Sequence, residues 1–205
     1  MIRFARFENP LMFSTGGLHP LDMSDSHLVR AVQSSDPTCT RVWLQMADVA
    51  GVGKTRVERV VIERFGGDPS LNLKSCPAVL LAADPNFTPF GSVFAFSARV
   101  IDSAADGIQI DPGRAIALSN CEVSGSAVDG IVMRMGSGGQ PASITGCNLQ
   151  NNLGVGIRNE MAFGQVAATD NWWGDAAGPN GPTGDGVAGD VDASSPRAAP
   201  VVLGY

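Results

Sequence analysis

The chain has 205 residues, with 14 Lys and Arg against 20 Asp and Glu for a net charge of −6, and with 25 glycines and 13 prolines. That length is enough for one domain with its own core, or at most two small ones. The scattered acidic balance lacks the basic stripe of a nucleic-acid binder, and no apolar run reaches the ~18 residues of a membrane span.

The chain opens on "MIRFARFENP" (1–10), which alternates like a strand and has no long apolar stretch of the signal-peptide kind. Then "GGLHPLDMSDSH" (16–27) gathers His19, His27 and two aspartates. It reads as a polar loop of turn residues, with a metal site as the alternative. The segment "GVGKT" (51–55) is a truncated phosphate-loop motif: the full motif needs glycine at position 48, where Asp48 stands. It reads as a turn between strands. A further rung-like segment is "RVERVVIERFGG" (56–67). In "DPNFTPFG" (84–91), Phe87 and Phe90 sit in a proline-bounded loop, the candidate ligand-binding surface unless the rings fold back on the flank.

From residue 97 the chain repeats itself. "SARVIDSAADGIQID" (97–111), "SNCEVSGSAVDGIVMR" (119–134) and "TGCNLQNNLGVGIRNE" (145–160) align with one gap in the first. Gly107, Gly130 and Gly156 then coincide, each followed by isoleucine, and the starts at Ser97, Ser119, Thr145 and Thr169 lie 22, 26 and 24 residues apart. A drifting period of this length with short strands and glycine turns predicts a β-solenoid. A β-sandwich would also give short strands at regular spacing, but not one residue type in one slot each time.

Stacking the repeats predicts columns of side chains. Ile108, Ile131 and Ile157 form one inward column and Ile110, Met133 and Asn159 the next. Phe94, Ile116, Ala142 and Val166 form another, followed by Phe96, Leu118, Ile144 and Ala168. Asp111, Arg134 and Glu160 form an outward row whose alternating charge would fix the register. Asp106 and Asp129 share the slot before the aligned glycines, placed outside near a turn, with Asp102 close by. These three are the weak catalytic candidates, and a solvated acidic corner is the blander reading.

Four cysteines, Cys39, Cys76, Cys121 and Cys147, form no C-x-x-C pair, so a zinc site is not expected. Cys121 and Cys147 fall in one slot of adjacent rungs, with Asn171 in the next. Parallel stacking points such side chains the same way, which suits a packed thiol pair better than a bridge. Cys39 and Cys76 leave a disulfide open.

The tail begins with "ATDNWWGDAAGPNGPTGDG" (167–185). Neighbouring residues of a strand face opposite sides. Trp173 therefore joins an inward column with Ile101, Val123 and Leu149, and Trp172 an outward one with Val100, Glu122 and Asn148. Asn171, Trp172, Trp173 and Gly174 are read as a structural cap, with Trp173 plugging the last rung and the Gly/Pro-rich tail folding over Trp172.

The rung "CNLQNNLGVGI" and the closing "ATDNWWGDAAGP…GDGVAGDVDASSP" resemble secreted right-handed parallel β-helix repeat proteins of the pectate-lyase-like superfamily. The match covers residues 91–196 and departs from the family's tail at "SSPRAAP", where a Pro-Trp pair often ends the motif. Together with the repeat, the resemblance implies an all-β, right-handed parallel β-helix as one domain over residues 1–205, and rungs of this length in 205 residues make roughly seven or eight. Irregular rungs with long insertions would fill 1–90, regular rungs 91–173 and a capping tail 174–205. It also implies an extracellular or cell-surface location.

Enzymes of that superfamily act on acidic polysaccharides. Lyase chemistry needs a base with cations or Ca²⁺ nearby, and hydrolysis needs two carboxylates across a groove. The arginines of the clear rungs are scattered over different slots, and no cofactor is expected, with Ca²⁺ as an alternative that no motif supports. The expected function is a non-catalytic module with a structural, assembly or adhesive role. A polysaccharide-processing enzyme or a carbohydrate-binding domain is the alternative. The N-terminal rung, with no helix before it, is expected to be open to self-association or to a neighbouring domain unless residues 11–40 cover it.

Overall fold

In the computed structural model, residues 2–3, 6–8, 12–15, 22–29, 41–46, 56–65, 76–83, 94–111, 116–134 and 142–204 are described. Successive passes of the chain add strands to two sheets. The first runs in the order β1 (Ile2–Arg3), β4 (Asp22–Ser24), β7 (Arg56–Glu63), β9 (Phe94–Ile101), β11 (Ile116–Ser119), β14 (Ala142–Thr145), β17 (Val166–Ala167) and β19 (Val191–Asp192). Beside this path, β2 (Arg6–Glu8) pairs with β5 (His27–Val29), and β12 (Glu122–Ser124) with β15 (Asn148–Gln150). The second sheet runs β3 (Met12–Thr15), β6 (Arg41–Met46), β8 (Val79–Ala83), β10 (Ile108–Asp111), β13 (Ile131–Met133), β16 (Ile157–Asn159) and β18 (Val187–Ala188). Their ladders are parallel. The chain is a β-solenoid.

The predicted columns in the second sheet are present. Ile108 pairs with Ile131 and Ile131 with Ile157, while Ile110, Met133 and Asn159 follow two residues on. In the first sheet, Phe94, Ile116, Ala142 and Val166 are in register, as are Phe96, Leu118 and Ile144. The β-branched residues suit this pleated surface, and each fully buried Val, Leu, Ile or Met side chain is worth roughly 1.5–3 kcal/mol. They meet between the sheets in a continuous core that runs from Val60 to Trp173.

One inward column differs from expectation. Val123 pairs with Val100, not Ile101, and Val100 is fully buried while Ile101 pairs with Ser124. The gap in the first repeat falls right after Ser97, because β9 passes this corner without the extra residue that Asn120 supplies in the next rung. Ala98 takes the buried slot that Cys121 and Cys147 hold above it.

The corners repeat as well. Arg64, Asp102, Gly125, Asn151 and Gly174 all have positive φ at the end of the flanking strand, and Asn120, Gly146, Asp170 and Ser195 do so at the preceding bend. This left-handed conformation favours Gly, Asn and Asp. The aligned glycines 107 and 130 serve another purpose. A Cβ on Gly107 would lie 2.6 Å from the Gly130 carbonyl oxygen, and one on Gly130 2.7 Å from that of Gly156. They are glycine because the next rung's backbone passes against them.

Two further expectations are corrected. Within residues 16–27, the part described is not a polar loop: β4 and the start of β5 are rung strands, joined by a bend at Asp25. Trp173 is also not the last layer, because β18 stacks on β16 and β19 on β17 beyond it. The pattern hid this rung, since its strands are two residues long and separated only by Gly189 and Asp190.

Candidate functional site

At the bend entering the second sheet, the slot before each aligned glycine is packed against the rung above. Asp106 and Asp129 occupy it and are 1% and 4% exposed, so these carboxylates are buried rather than placed on the outside. Their burial is offset by hydrogen bonds, as a buried charge requires. Asp106 accepts from the Asp129 backbone N–H at 3.1 Å and from Arg134 Nη2 at 3.2 Å. Asp129 accepts from the Val155 N–H at 2.9 Å and from Nε and Nη2 of Arg158 at 2.5 and 3.2 Å. Arg134 also donates from Nη1 to Glu160 at 2.8 Å. Loss of hydration pushes the Asp106 carboxyl up to about 6, opposed by the Asp129 N–H and by Arg134.

The outward charge row is thus present between Arg134 and Glu160, and Arg134 also turns toward Asp106. The Asp111 side chain lies outside the described residues. Sequence reasoning missed Arg134 and Arg158 as partners of the two aspartates. The available signal was an acid before the glycine paired with an arginine in the strand of a following rung.

Asp102 is not part of this cluster. It stands exposed at the preceding bend, in an open cavity of about 590 Å³ lined by Arg64, Asp102, Ser103, Gly125, Ala127, Asn151 and Leu153. The side chains of Asp102 and Asn151 make no hydrogen bond among the described residues, while Arg64 reaches Glu63 at 3.0 Å. Leu153 is 82% exposed at the rim. The cavity therefore offers free polar groups along the solenoid axis beside an apolar side chain. Phe87 and Phe90 lie outside the described residues.

The cap residues meet at the far end. Trp173 is fully buried, and its indole N–H has no acceptor among the described residues. Trp172 pairs with Asn148 and donates its indole N–H to Gln150 at 2.9 Å. Asn171 Oδ1 accepts from the Cys147 N–H at 2.9 Å, and its Nδ2 donates to the Ile144 carbonyl at 2.6 Å. The final segment then runs back over the flank: the Val201 N–H and carbonyl bind the Asn148 carboxamide at 2.7 and 3.0 Å. Gly174 has a φ of 87° at the bend.

Cys121 and Cys147 are free thiols and fully buried, as the stacking argument requires. Burial, reinforced by Cys121, pushes the Cys147 thiol well up. Cys76 is disulfide-bonded, which answers the question left open for it, and Cys39 lies outside the described residues. Among the described residues no cluster of three or more His, Cys, Asp or Glu could hold a metal, and no helix is long and apolar enough to cross a membrane. Compared with known proteins, the chain matches no family model, no curated protein and no solved structure.

Proposed function

We propose that this chain is a non-catalytic module of a secreted or surface protein, a right-handed parallel β-helix of the pectate-lyase-like kind serving structure, assembly or adhesion. The observation that carries the reading is the commitment of its buried acids. Asp106 and Asp129 are each held by an arginine and a backbone N–H, with almost no exposure to a substrate. Hydrolysis of a glycoside needs two accessible carboxylates across a groove, and the free one, Asp102, stands apart from both. The disulfide at Cys76 favours an oxidising compartment. A panel of acidic and neutral polysaccharides should give no unsaturated or reducing-end products. Turnover of any one of them, lost in a variant with both Asp102→Asn and Asp129→Asn, would overturn this reading in favour of an enzyme.

The open cavity favours carbohydrate binding as the form the adhesive role takes. Arg64, Asp102 and Asn151 offer donors and acceptors that match hydroxyl groups, and Leu153 offers an apolar side for a sugar face. The net charge of −6 disfavours polyanions, so neutral glycans fit best. Replacing Asp102 and Asn151 together with alanine should weaken retention on a neutral glycan column at least several-fold. Equal retention by the two proteins would remove the cavity from consideration.

A further inference from the structure

The cluster around Asp106 holds three carboxylates, those of Asp106, Asp129 and Glu160, against two guanidiniums, those of Arg134 and Arg158. Arg158 meets Asp129 with two of its nitrogens, which leaves Arg134 to serve both Asp106 and Glu160. Those two contacts are unequal: 2.8 Å to the part-exposed Glu160 and 3.2 Å to the buried Asp106. Glu160 and the two guanidiniums are partly solvated, so the unrelieved charge is that of a buried carboxylate without a guanidinium of its own. Such a group relieves it by taking a proton. The buried carboxylate with the longer, shared contact is the place for it.

We propose that Asp106, Arg134 and Glu160 form a proton-operated clasp between rungs: Arg134 bridges both carboxylates when Asp106 is ionised, and turns wholly to Glu160 when Asp106 is protonated. The surroundings of Asp106 support this. From the rung below, Ala78 donates its N–H to the Asp106 carbonyl and brings no charge, and within its own bend Ser103 donates its hydroxyl to that carbonyl. From the rungs above come Asp129, Arg134, Arg158 and Glu160, the charged groups that face it among the described residues. A protonated carboxyl keeps the hydrogen bond from the Asp129 N–H but no longer needs the guanidinium. Arg134 is the part that moves.

The sign of the effect on stability follows from linkage. The folded-state value is raised from 3.8 to about 6, so the native state binds the extra proton between those values. Stability from this group is fully present below about 3.8 and is lost as pH rises from there through about 6. The deciding experiment is a ¹³C carboxyl titration of the intact chain by NMR, with thermal unfolding followed across the same pH range. The Asp106 carboxyl should titrate near 6. Glu160→Gln removes a charge that competes for Arg134 and should move that midpoint down. In Asp106→Asn, the loss of thermal stability through that range should shrink, leaving the part that comes from groups such as Asp185, whose carboxyl burial also pushes up. A midpoint at or below the ordinary aspartate value, or one unmoved by Glu160→Gln, would overturn the clasp. The titration is made on the unaltered chain, so the test stands even if Asp106→Asn fails to fold.

Discussion

Gly130 and Asn171 illustrate two ways in which one side chain holds adjacent rungs together. At Gly130 the requirement is the absence of an atom, since a Cβ would press 2.7 Å from the Gly156 carbonyl oxygen and 2.9 Å from the Asn152 carboxamide. Gly130→Ala should destabilise the fold by about 1–3 kcal/mol, the usual range for overpacking, measured as a shift in urea midpoint. No shift would mean that the rungs separate easily there. At Asn171 the requirement is a carboxamide that satisfies a buried N–H and a buried carbonyl at once. Asn171→Ala leaves both unpaired and should cost at least the roughly 1–3 kcal/mol of one such group. Asn171→Cys, the residue of this slot in the two preceding rungs, should lose the same hydrogen bonds but recover part of the packing.

Among the elements, the loop after the tryptophan pair is wound around a single carboxylate. Asp175 accepts from the Ala177 N–H at 2.8 Å and from the Thr183 hydroxyl at 2.9 Å, and these bonds hold its carboxyl below the ordinary range. A depressed carboxyl contributes stability above its unfolded pKa and loses it as pH falls through its folded one. Asp175→Ala should therefore speed amide exchange in residues 174–184 at neutral pH, and the difference from the native chain should shrink in acid. Equal exchange rates at neutral pH would show that the glycines alone shape the loop. Gly181 supports the expectation of a difference, since a Cβ there would overlap the Asp175 carboxyl. The αL bends explain why the rung repeat tolerates such varied residues. Gly125, Asp102, Asn151 and Gly174 suit positive φ, and Arg64 adopts it at some cost.

For the whole molecule, the ladders make one core whose layers depend on their neighbours. Cys121 and Cys147 lie inside it and report on its opening. Both thiols should resist alkylation in the folded chain, and their labelling rate in urea should follow global unfolding. The raised value at Cys147 adds to this, because the thiolate is the reactive form. Rapid labelling without denaturant would mean that the rungs part locally, and the single-core description would fail.

The repeated isoleucines, the shared cysteine slot and the outward Trp172 were legible in the sequence. Parallel stacking puts the same residue type in the same environment each time, so a one-dimensional pattern reports a three-dimensional column. The tertiary structure alone decided where that pattern slips. It put the missing residue after Ser97 because β9 turns its corner without an Asn120 equivalent, which sent Val100 inward. It also buried Asp106 and Asp129, since only the rung above could supply the N–H groups and guanidiniums that make burial tolerable. The partners of a charge come from across the stack, and spacing along the chain does not record which arginine reaches back.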